Sequence, residues 1–302
     1  MVITFKQIEA LYWIAELGNF ALAADKLNTT QSAISKRINE LESVFDMEVF
    51  DRSRRNAKLT EKGAELLALS KDMLDMRDHV LERMSSPETL HKRFRIGVTE
   101  LTALTWLPKL VKMISQSYPK LIIEPQVELS STLLEKLGND SLDMIIVPDV
   151  YDDAAYKVCR LKTVKNAWMC TPDYVSADDV LDFQRLSQLN VLTQSNLSGT
   201  GVIYERWFAQ NNLKISRTLL SNSLVAQIGL TLSGIGVSYL PIAAMKKYLD
   251  SGLLKILHVT PQLPEVRYAA LYRADRDSRL YSDVTCYAAE TCDFDGVLIG
   301  GS

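Results

Sequence analysis

Residues 20–45, FALAADKLNTTQSAISKRINELESVF, decide the fold of the N-terminal part of this chain. They predict two helices joined by a turn at Asn28-Thr29-Thr30, because Asn and Thr favour turns and helix N-caps. The apolar residues of both helices recur at steps of three and four, so they are predicted to face inward. They are Ala21, Ala24 and Leu27 in the first helix, and Ile34, Ile38, Leu41 and Phe45 in the second.

The outer face of the second helix is polar over its first two turns. A helix-turn-helix places its base-reading side chains there. Gln pairs with adenine, Ser with several base edges, and Lys with guanine or phosphate. An ordinary helical hairpin with a solvated face gives the same pattern, and that alternative stays open at this point. The predicted DNA contacts of this helix are Thr30, Gln31, Ser32, Ser35, Lys36 and Arg37.

A basic segment follows the second helix. Met47, Val49 and Phe50 alternate in a way that suits a small β-hairpin, and residues 52–58 hold four basic side chains and no acid. Residues 1–60 contain eight Lys/Arg and eight Asp/Glu, so attraction to DNA must come from the placement of the charges. A basic loop beside a recognition helix is typical of a wing, although a solvated loop is the alternative. The predicted wing contacts are Arg52, Arg54 and Arg55.

Residues 59–84 predict one long helix with an apolar seam. Thr60 suits its N-cap, and Ser85-Ser86-Pro87 suit its end. The apolar residues repeat at 3-4-3-4, as in a short coiled coil. We expect the same helix of a second chain to cover this seam in a symmetric dimer; packing within its own domain is the alternative. The predicted dimerisation residues are Leu66, Leu69, Met73, Met76 and Val80.

Four segments together resemble the LysR-type transcriptional regulators. They are AADKLNTTQSAISKRINELE (23–42), VFDRSRRNAKLTEKG (49–63), FRIGVTELTALTWLPKLVKMISQSYP (94–119) and EKLGNDSLDMIIVPD (135–149). The resemblance covers essentially the whole chain and is most specific at the N-terminus. It implies an α+β multidomain fold: a winged helix-turn-helix domain (1–58), a linker and dimerisation helix with a hinge (59–91), and an effector-binding α/β domain (92–302) like the periplasmic binding proteins.

Residues 92–302 alternate apolar strands with amphipathic helices, which predicts α/β architecture with mainly parallel sheets. The resemblance implies two subdomains, 92–162 with 268–302 and 163–267, joined by crossovers near 161–165 and 264–270. Strands are predicted at 94–98, 121–129, 143–147, 166–170, 190–193, 215–219, 236–240 and 266–272, and helices at about 103–117, 131–138, 200–211, 222–233 and 278–290.

The loops that follow these strands carry hydroxyl residues at helix starts. In open α/β sheets ligands bind beyond the carboxyl ends of the strands, and helix N-termini suit anionic groups. A single Ser or Thr there is more simply an N-cap, whereas loops that converge across a cleft favour a pocket. The predicted effector contacts are Thr99, Glu100, Leu101, Thr102, Ser130, Ser131, Pro148, Thr193, Ser195 and Asn196.

Three residues depart from the family pattern. By the resemblance, Ser32 stands where proline is common, Lys36 where arginine is common, and Glu100 where Ser or Thr is usual. Lysine lacks the forked geometry of arginine, so site preference is expected to differ. The Glu100 carboxylate is compatible with three roles: repelling an anionic effector, selecting a cationic or hydrogen-bond-donating one, or lying aside as a first-turn residue that favours the helix dipole.

Composition and cysteine usage bound the remaining function classes. The chain has 302 residues and a net charge of −3, which is ordinary for a soluble protein of two or three domains. It has no apolar run of 18 residues and no signal-peptide pattern, so a cytoplasmic location without membrane contact is expected. The cysteines lack metal spacing, and no cofactor is expected. Cys286 and Cys292, six apart, are compatible with a redox switch, but buried reduced thiols are favoured.

The functional expectation is a sequence-specific DNA-binding transcription regulator that senses a small polar effector. Its implied partners are double-stranded promoter DNA, the effector, further copies of itself as a dimer or tetramer, and RNA polymerase. A redox-sensing or effector-independent regulator is the alternative. An enzyme with an accessory DNA-binding domain is the least favoured, because the chain shows three histidines and no Gly-rich phosphate loop or nucleophile motif.

Overall fold

The computed structural model describes residues 2–51, 57–84, 92–151, 153–175, 181–276 and 278–295. The chain divides into two compact units, Met1–Met84 and Ser85–Ser302. Within the described ranges, no helix combines the length and the apolar character that crossing a lipid bilayer requires.

The first unit is helical, and side chains cap the N-termini of its first three helices. Its helices are α1 (Phe5–Leu17), α2 (Phe20–Lys26), α3 (Gln31–Phe45) and α4 (Glu61–Met84). Thr4 and Gln7 form a capping box at the start of α1. The Asn19 side chain accepts from the first amides of α2, and the Thr30 hydroxyl accepts from Ala33 N in α3. Each cap satisfies amide groups that have no partner within the helix.

The core of this unit lies between α1, α2 and α3 and confirms most of the predicted inward face. Ile34, Ile38 and Leu41 are buried, as is Ala24. Two inward predictions are wrong. Ala21 is exposed, because the buried stripe of α2 runs through Ala23 and Ala24 instead. Phe45 is 40% exposed, because it ends α3 and Asp46 (φ 50°) turns the chain away in a left-handed conformation.

The hairpin expected after α3 is reduced to one antiparallel bridge between Phe50 and Leu59 in the described residues. Asp51 N also donates to Lys58 O at 2.8 Å. The predicted wing contacts Arg52, Arg54 and Arg55 lie outside the described residues. The start of α4 approaches the hairpin closely: a Cβ on Gly63 would lie 2.1 Å from Val49 O, so only glycine fits there.

The second unit contains two sheets flanked by helices. The first sheet has the order β2-β1-β3-β12-β4, the second β10-β5-β9-β7-β8, and β6 pairs separately with β11. The strands are β1 (Arg93–Val98), β2 (Ile122–Val127), β3 (Met144–Pro148), β4 (Tyr156–Val164), β5 (Asn166–Cys170), β6 (Leu181–Asp182), β7 (Val191–Thr193), β8 (Thr218–Leu220), β9 (Val237–Pro241), β10 (Lys255–Leu257), β11 (Val259–Thr260) and β12 (Val266–Arg273). The helices are α5 (Glu100–Thr105), α6 (Leu107–Ser117), α7 (Ser130–Gly138), α8 (Phe183–Leu186), α9 (Gly199–Gln210), α10 (Leu224–Leu232), α11 (Lys246–Asp250) and α12 (Arg279–Thr291).

The chain passes from the first sheet to the second at Lys165 and returns before Val266. β4 and β12 pair antiparallel up to Val164 opposite Val266, so both strands stay in the first sheet for their whole length. The predicted second subdomain, 163–267, is therefore two residues too long at each end. The prediction of mainly parallel sheets holds only in part, because both sheets are mixed. β1 is parallel to β2 and β3, and β7 is parallel to β8 and β9. β12 is antiparallel to β3 and β4, and β5 is antiparallel to β9 and β10.

The helix predicted at about 103–117 is two helices. The chain breaks at Trp106, whose backbone leaves helical geometry (φ −121°, ψ −4°), and α6 begins at Leu107 with Pro108 in its first turn. A proline is tolerated in a first turn but clashes with the preceding turn in a helix interior. Trp106 is fully buried at this corner. The short helix before it, α5, begins at Glu100, two residues after the end of β1.

Candidate functional site

The outer face of α3 presents the predicted DNA-contacting side chains. Gln31, Ser32 and Lys36 are exposed, whereas Ser35 and Arg37 are half-buried at the edges of the face. Lys36 forms a long ion pair with Glu40, at 3.9 Å and largely in solvent, which leaves its charge available to an incoming group. The Thr30 hydroxyl is engaged in the cap and lies 3.0 Å from the Ser32 hydroxyl.

The predicted seam of α4 is an exposed apolar stripe with one exception. Leu69, Met73, Met76 and Val80 are 57%, 45%, 63% and 51% exposed. Leu66 differs, because it is half-buried against the core of its own unit. The face that includes Leu74 and Ser70 is buried. α4 thus uses one side for its own unit and leaves the other open.

A cavity of about 370 Å³ lies between the two sheets of the second unit. Five of the predicted effector contacts line it: Thr99, Glu100, Leu101, Ser130 and Pro148. They come from the carboxyl ends of β1 and β3 and from the starts of α5 and α7, as the rule for open α/β sheets requires.

The other five predicted contacts do not line the cavity, and their contact with an effector stays a prediction. Thr102 and Thr193 are buried beneath the surface of the cleft. Ser131 instead donates its backbone N–H to Leu197 O at 3.1 Å. In the loop before α9, Ser198 N donates a hydrogen bond to Ser195 O at 3.0 Å. Ser195 and Asn196, which lie within this turn, do not line the cavity.

Most of the cleft surface contributed by the second sheet was missed. Gln194, Ser198 and Thr200 come from the loop and first turn of α9, between the predicted strand at 190–193 and the end of the first turn of the helix predicted at about 200–211. Asn222 and Ser223 precede α10 and repeat the same strand-to-helix pattern after β8. Gln227 lies in α10. Three further polar groups sit within strands, where no sequence signal distinguishes them from core residues: Asn166 and Tyr239 in the second sheet and Tyr268 in the first.

The start of α5 reaches across the cleft to the start of α10. The Glu100 carboxylate accepts a hydrogen bond from Leu224 N and another from the Ser223 hydroxyl, at 3.2 Å for the latter. A second bridge joins α7 to α9, where Gly199 N donates to the Ser130 hydroxyl at 3.0 Å. Side chains of the first subdomain therefore cap two helices of the second.

The tyrosines of the cleft wall are buried and stay protonated. Burial raises the pKa of Tyr268 to about 12, and burial also raises the pKa of Tyr239. The Tyr239 hydroxyl accepts from Gln194 N at 2.7 Å, which holds the loop before α9 against the second sheet. These phenols act as neutral hydrogen-bonding groups throughout the physiological pH range.

The four cysteines are free thiols in different surroundings. Cys170 and Cys292 are buried, Cys159 is half-buried, and Cys286 is exposed, contrary to the expectation of buried thiols there. Burial raises the pKa of Cys159 and Cys292, and that of Cys170 to about 11, which disfavours the reactive thiolate. Over the described residues, no group of His, Cys, Asp and Glu side chains is arranged to hold a metal ion.

Comparison with known families accounts for both units. Residues 5–64 match the model of the bacterial regulatory helix-turn-helix proteins of the lysR family, and residues 87–292 match the LysR substrate binding domain. The chain belongs to the LysR family of transcriptional regulators. LysR regulators bind DNA and small-molecule effectors and form oligomers, and they are regulators rather than enzymes.

Individual relatives are distant but aligned along most of their length. The HTH-type transcriptional regulator PecT of Dickeya dadantii (strain 3937) is 25% identical over 271 residues, which cover 88% of this chain and 81% of PecT. A full-length OxyR from Pseudomonas aeruginosa has a TM-score of 0.71 at 18% identity, covering 97% of each chain. ArgP from Mycobacterium tuberculosis has a TM-score of 0.71 at 17% identity, covering 100% of each chain. At these identities the two solved structures establish the shared fold.

Proposed function

We propose that this LysR-type regulator reads its operator with the outer face of α3 and senses a small polar effector in the cleft between its two α/β subdomains. The observation that carries the first part is the exposure of Gln31, Ser32 and Lys36 over the first two turns of α3. The cavity of about 370 Å³, with polar groups from both subdomains, supports the second part.

The proposed dimer brings two recognition helices to one DNA site. The exposed stripe of Leu69, Met73, Met76 and Val80 is too apolar to remain in solvent, and the same stripe on a second copy is its natural cover. A two-fold axis through the paired α4 helices predicts an operator with two related half-sites. Tetramer formation, DNA contacts from Arg52, Arg54 and Arg55, and contact with RNA polymerase stay predictions.

Replacing base-contacting side chains tests the recognition face. We expect Gln31→Ala and Ser35→Ala each to weaken binding to the specific operator by about 1–3 kcal/mol, because each removes a base contact. Binding to random DNA should change much less, since phosphate contacts dominate it. Fluorescence anisotropy with operator and random duplexes at one fixed salt concentration measures both affinities.

The matched control for this experiment is Ser43→Ala, which removes an exposed hydroxyl near the far end of α3. Its hydroxyl donates to Asn39 O within the same helix, at 2.7 Å. Operator affinity should be unchanged in this variant. Equal losses in Ser43→Ala and Ser35→Ala, or no loss in Gln31→Ala and Ser35→Ala, would refute the proposed recognition face.

A redox-sensing regulator is the second candidate, and the exposed Cys286 thiol is the observation in its favour. Cys292, its proposed partner, is buried, and burial raises its pKa. The effector cleft is therefore the better-supported sensor.

A further inference from the structure

The first amides of the two helices that the second subdomain presents to the cleft are already hydrogen-bonded. At α10, Leu224 N donates to the Glu100 carboxylate, and Ala226 N donates to the Ser223 hydroxyl at 3.2 Å. At α9, Gly199 N donates to the Ser130 hydroxyl at 3.0 Å. Free amides at a helix start are the usual backbone site for an anion. Here the cleft's own side chains use those amides.

The charges of the cleft wall have one sign. Among the described residues that line the cavity, the charged side chains are Glu100 and Glu128. Glu128 is paired with Lys136, at 3.2 Å. The Glu100 carboxylate accepts hydrogen bonds from two neutral groups, the Ser223 hydroxyl and the Leu224 backbone amide. Its negative charge is therefore offset by the dipole of α10 rather than by a cationic side chain.

The cleft wall also offers an unused acceptor. Asn166 Nδ2 donates to the Tyr204 hydroxyl at 2.6 Å, and Tyr204 in turn donates to Pro264 O at 3.4 Å, which sets the orientation of the amide. Asn166 Oδ1 is buried and has no hydrogen-bond partner. A buried acceptor without a partner carries a free-energy cost that a donor from a ligand would remove. An anionic group offers no such donor.

We propose that the cleft selects a small cation bearing N–H donors, such as an ammonium or amidinium compound, and that Glu100 is the specificity-determining residue. This inference rests on the proposed effector role of the cleft. At α9 and α10 a bound anion would find the first amides already bonded. The starts of α5 and α7 have no side-chain cap, but the Glu100 carboxylate stands at the start of α5, where it repels an anion and attracts a cation. The hydrogen bonds that Leu224 N and the Ser223 hydroxyl donate to Glu100 hold its carboxylate in the cleft.

Two small aromatic probes of similar size and opposite charge test the preference: benzylammonium and benzoate, each titrated calorimetrically into the full-length protein. We expect the wild-type protein to bind benzylammonium at least tenfold more tightly than benzoate. In Glu100→Gln, which keeps the shape but removes the charge, the ratio should fall at least tenfold. The matched control is Glu135→Gln, an exposed residue of α7 outside the cavity, which should keep the wild-type ratio.

Equal affinity of the wild-type protein for the two ions, including binding of neither, would overturn the inference, as would an unchanged ratio in Glu100→Gln. Operator binding measured on the same samples separates this failure from that of the proposed function. A protein that binds its operator specifically but shows no charge preference refutes only the cation selectivity. A protein without specific DNA binding refutes the proposed recognition face instead.

Discussion

A double substitution in the exposed stripe of α4, Leu69→Glu with Met76→Glu, is expected to convert the protein from a dimer to a monomer. The two side chains are 57% and 63% exposed in the single chain, so their replacement should leave the fold of the monomer intact. In the dimer each replacement removes about 1.5–3 kcal/mol of apolar burial. It also places like charges opposite one another across the two-fold axis. Sedimentation equilibrium over a range of protein concentrations measures the outcome.

The same variant should lose operator affinity through lost bivalency. Two linked recognition helices gain roughly 10²–10⁴-fold over one, without any new contact. We therefore expect at least about a 100-fold loss on a two-half-site operator. Binding to a single half-site should change little, because α3 itself is untouched.

A matched pair on another side of α4 serves as the control for the seam. Ala64→Glu with Ala68→Glu adds the same charge at exposed positions that lie roughly 100° or more around the helix from the centre of the stripe. This control should remain dimeric. A dimer that survives Leu69→Glu with Met76→Glu would show that another surface holds the two copies together.

A single methyl group at Gly201 is expected to destabilise the second unit by about 3 kcal/mol, the upper end of the usual cost of overpacking. Gly201 lies in the first turn of α9, and a Cβ there would lie 2.1 Å from Ser195 O and 2.9 Å from Gln194 O. Both contacts are backbone atoms, which cannot rotate aside as a flexible side chain would. In Gly201→Ala the melting temperature of this unit should fall by roughly 6–12 °C, and the loop that places Gln194 and Ser198 at the cleft should move.

Gly229→Ala is the matched control because its expected effect has the opposite sign. Gly229 lies within α10, and a Cβ there would meet nothing within 4 Å. Alanine in a helix interior is favoured over glycine by about 0.5–1 kcal/mol. Calorimetric melting of both variants tests the pair. A Gly201→Ala protein that melts at or above the wild-type temperature would disprove the close approach.

The N-terminal unit could be predicted well because its signals are local. The N-caps at Asn19 and Thr30 and the spacing of Ile34, Ile38 and Leu41 all act within a few residues of chain. The errors there are at the ends of elements. Phe45 was predicted to face inward because the spacing of apolar residues does not show where a helix ends and the chain leaves the core. Pro108, by contrast, was a local signal for the break at Trp106, and the predicted helix overlooked it.

The cleft could be predicted only in part, for a physical reason. Thr99, Ser130 and Pro148 follow strand ends that local patterns mark, so their position at one edge of a sheet could be expected. Asn166 and Tyr268 lie on β5 and in the returning strand β12, and their exposure to the cavity depends on which face of each strand the other subdomain covers. No local pattern encodes that choice.

The family, the helix-turn-helix, the apolar repeat of α4 and the order of most strands and helices could be predicted from the residues alone, because they follow from periodicity, capping and motif spacing along the chain. Three features depend on long-range packing: the division of α4 into a covered and an open face, the antiparallel course of β12 in the first sheet, and the contacts of Glu100. Its carboxylate meets Leu224 N, 124 residues away, and a partner at that distance is set by the packing of two sheets rather than by neighbouring residues.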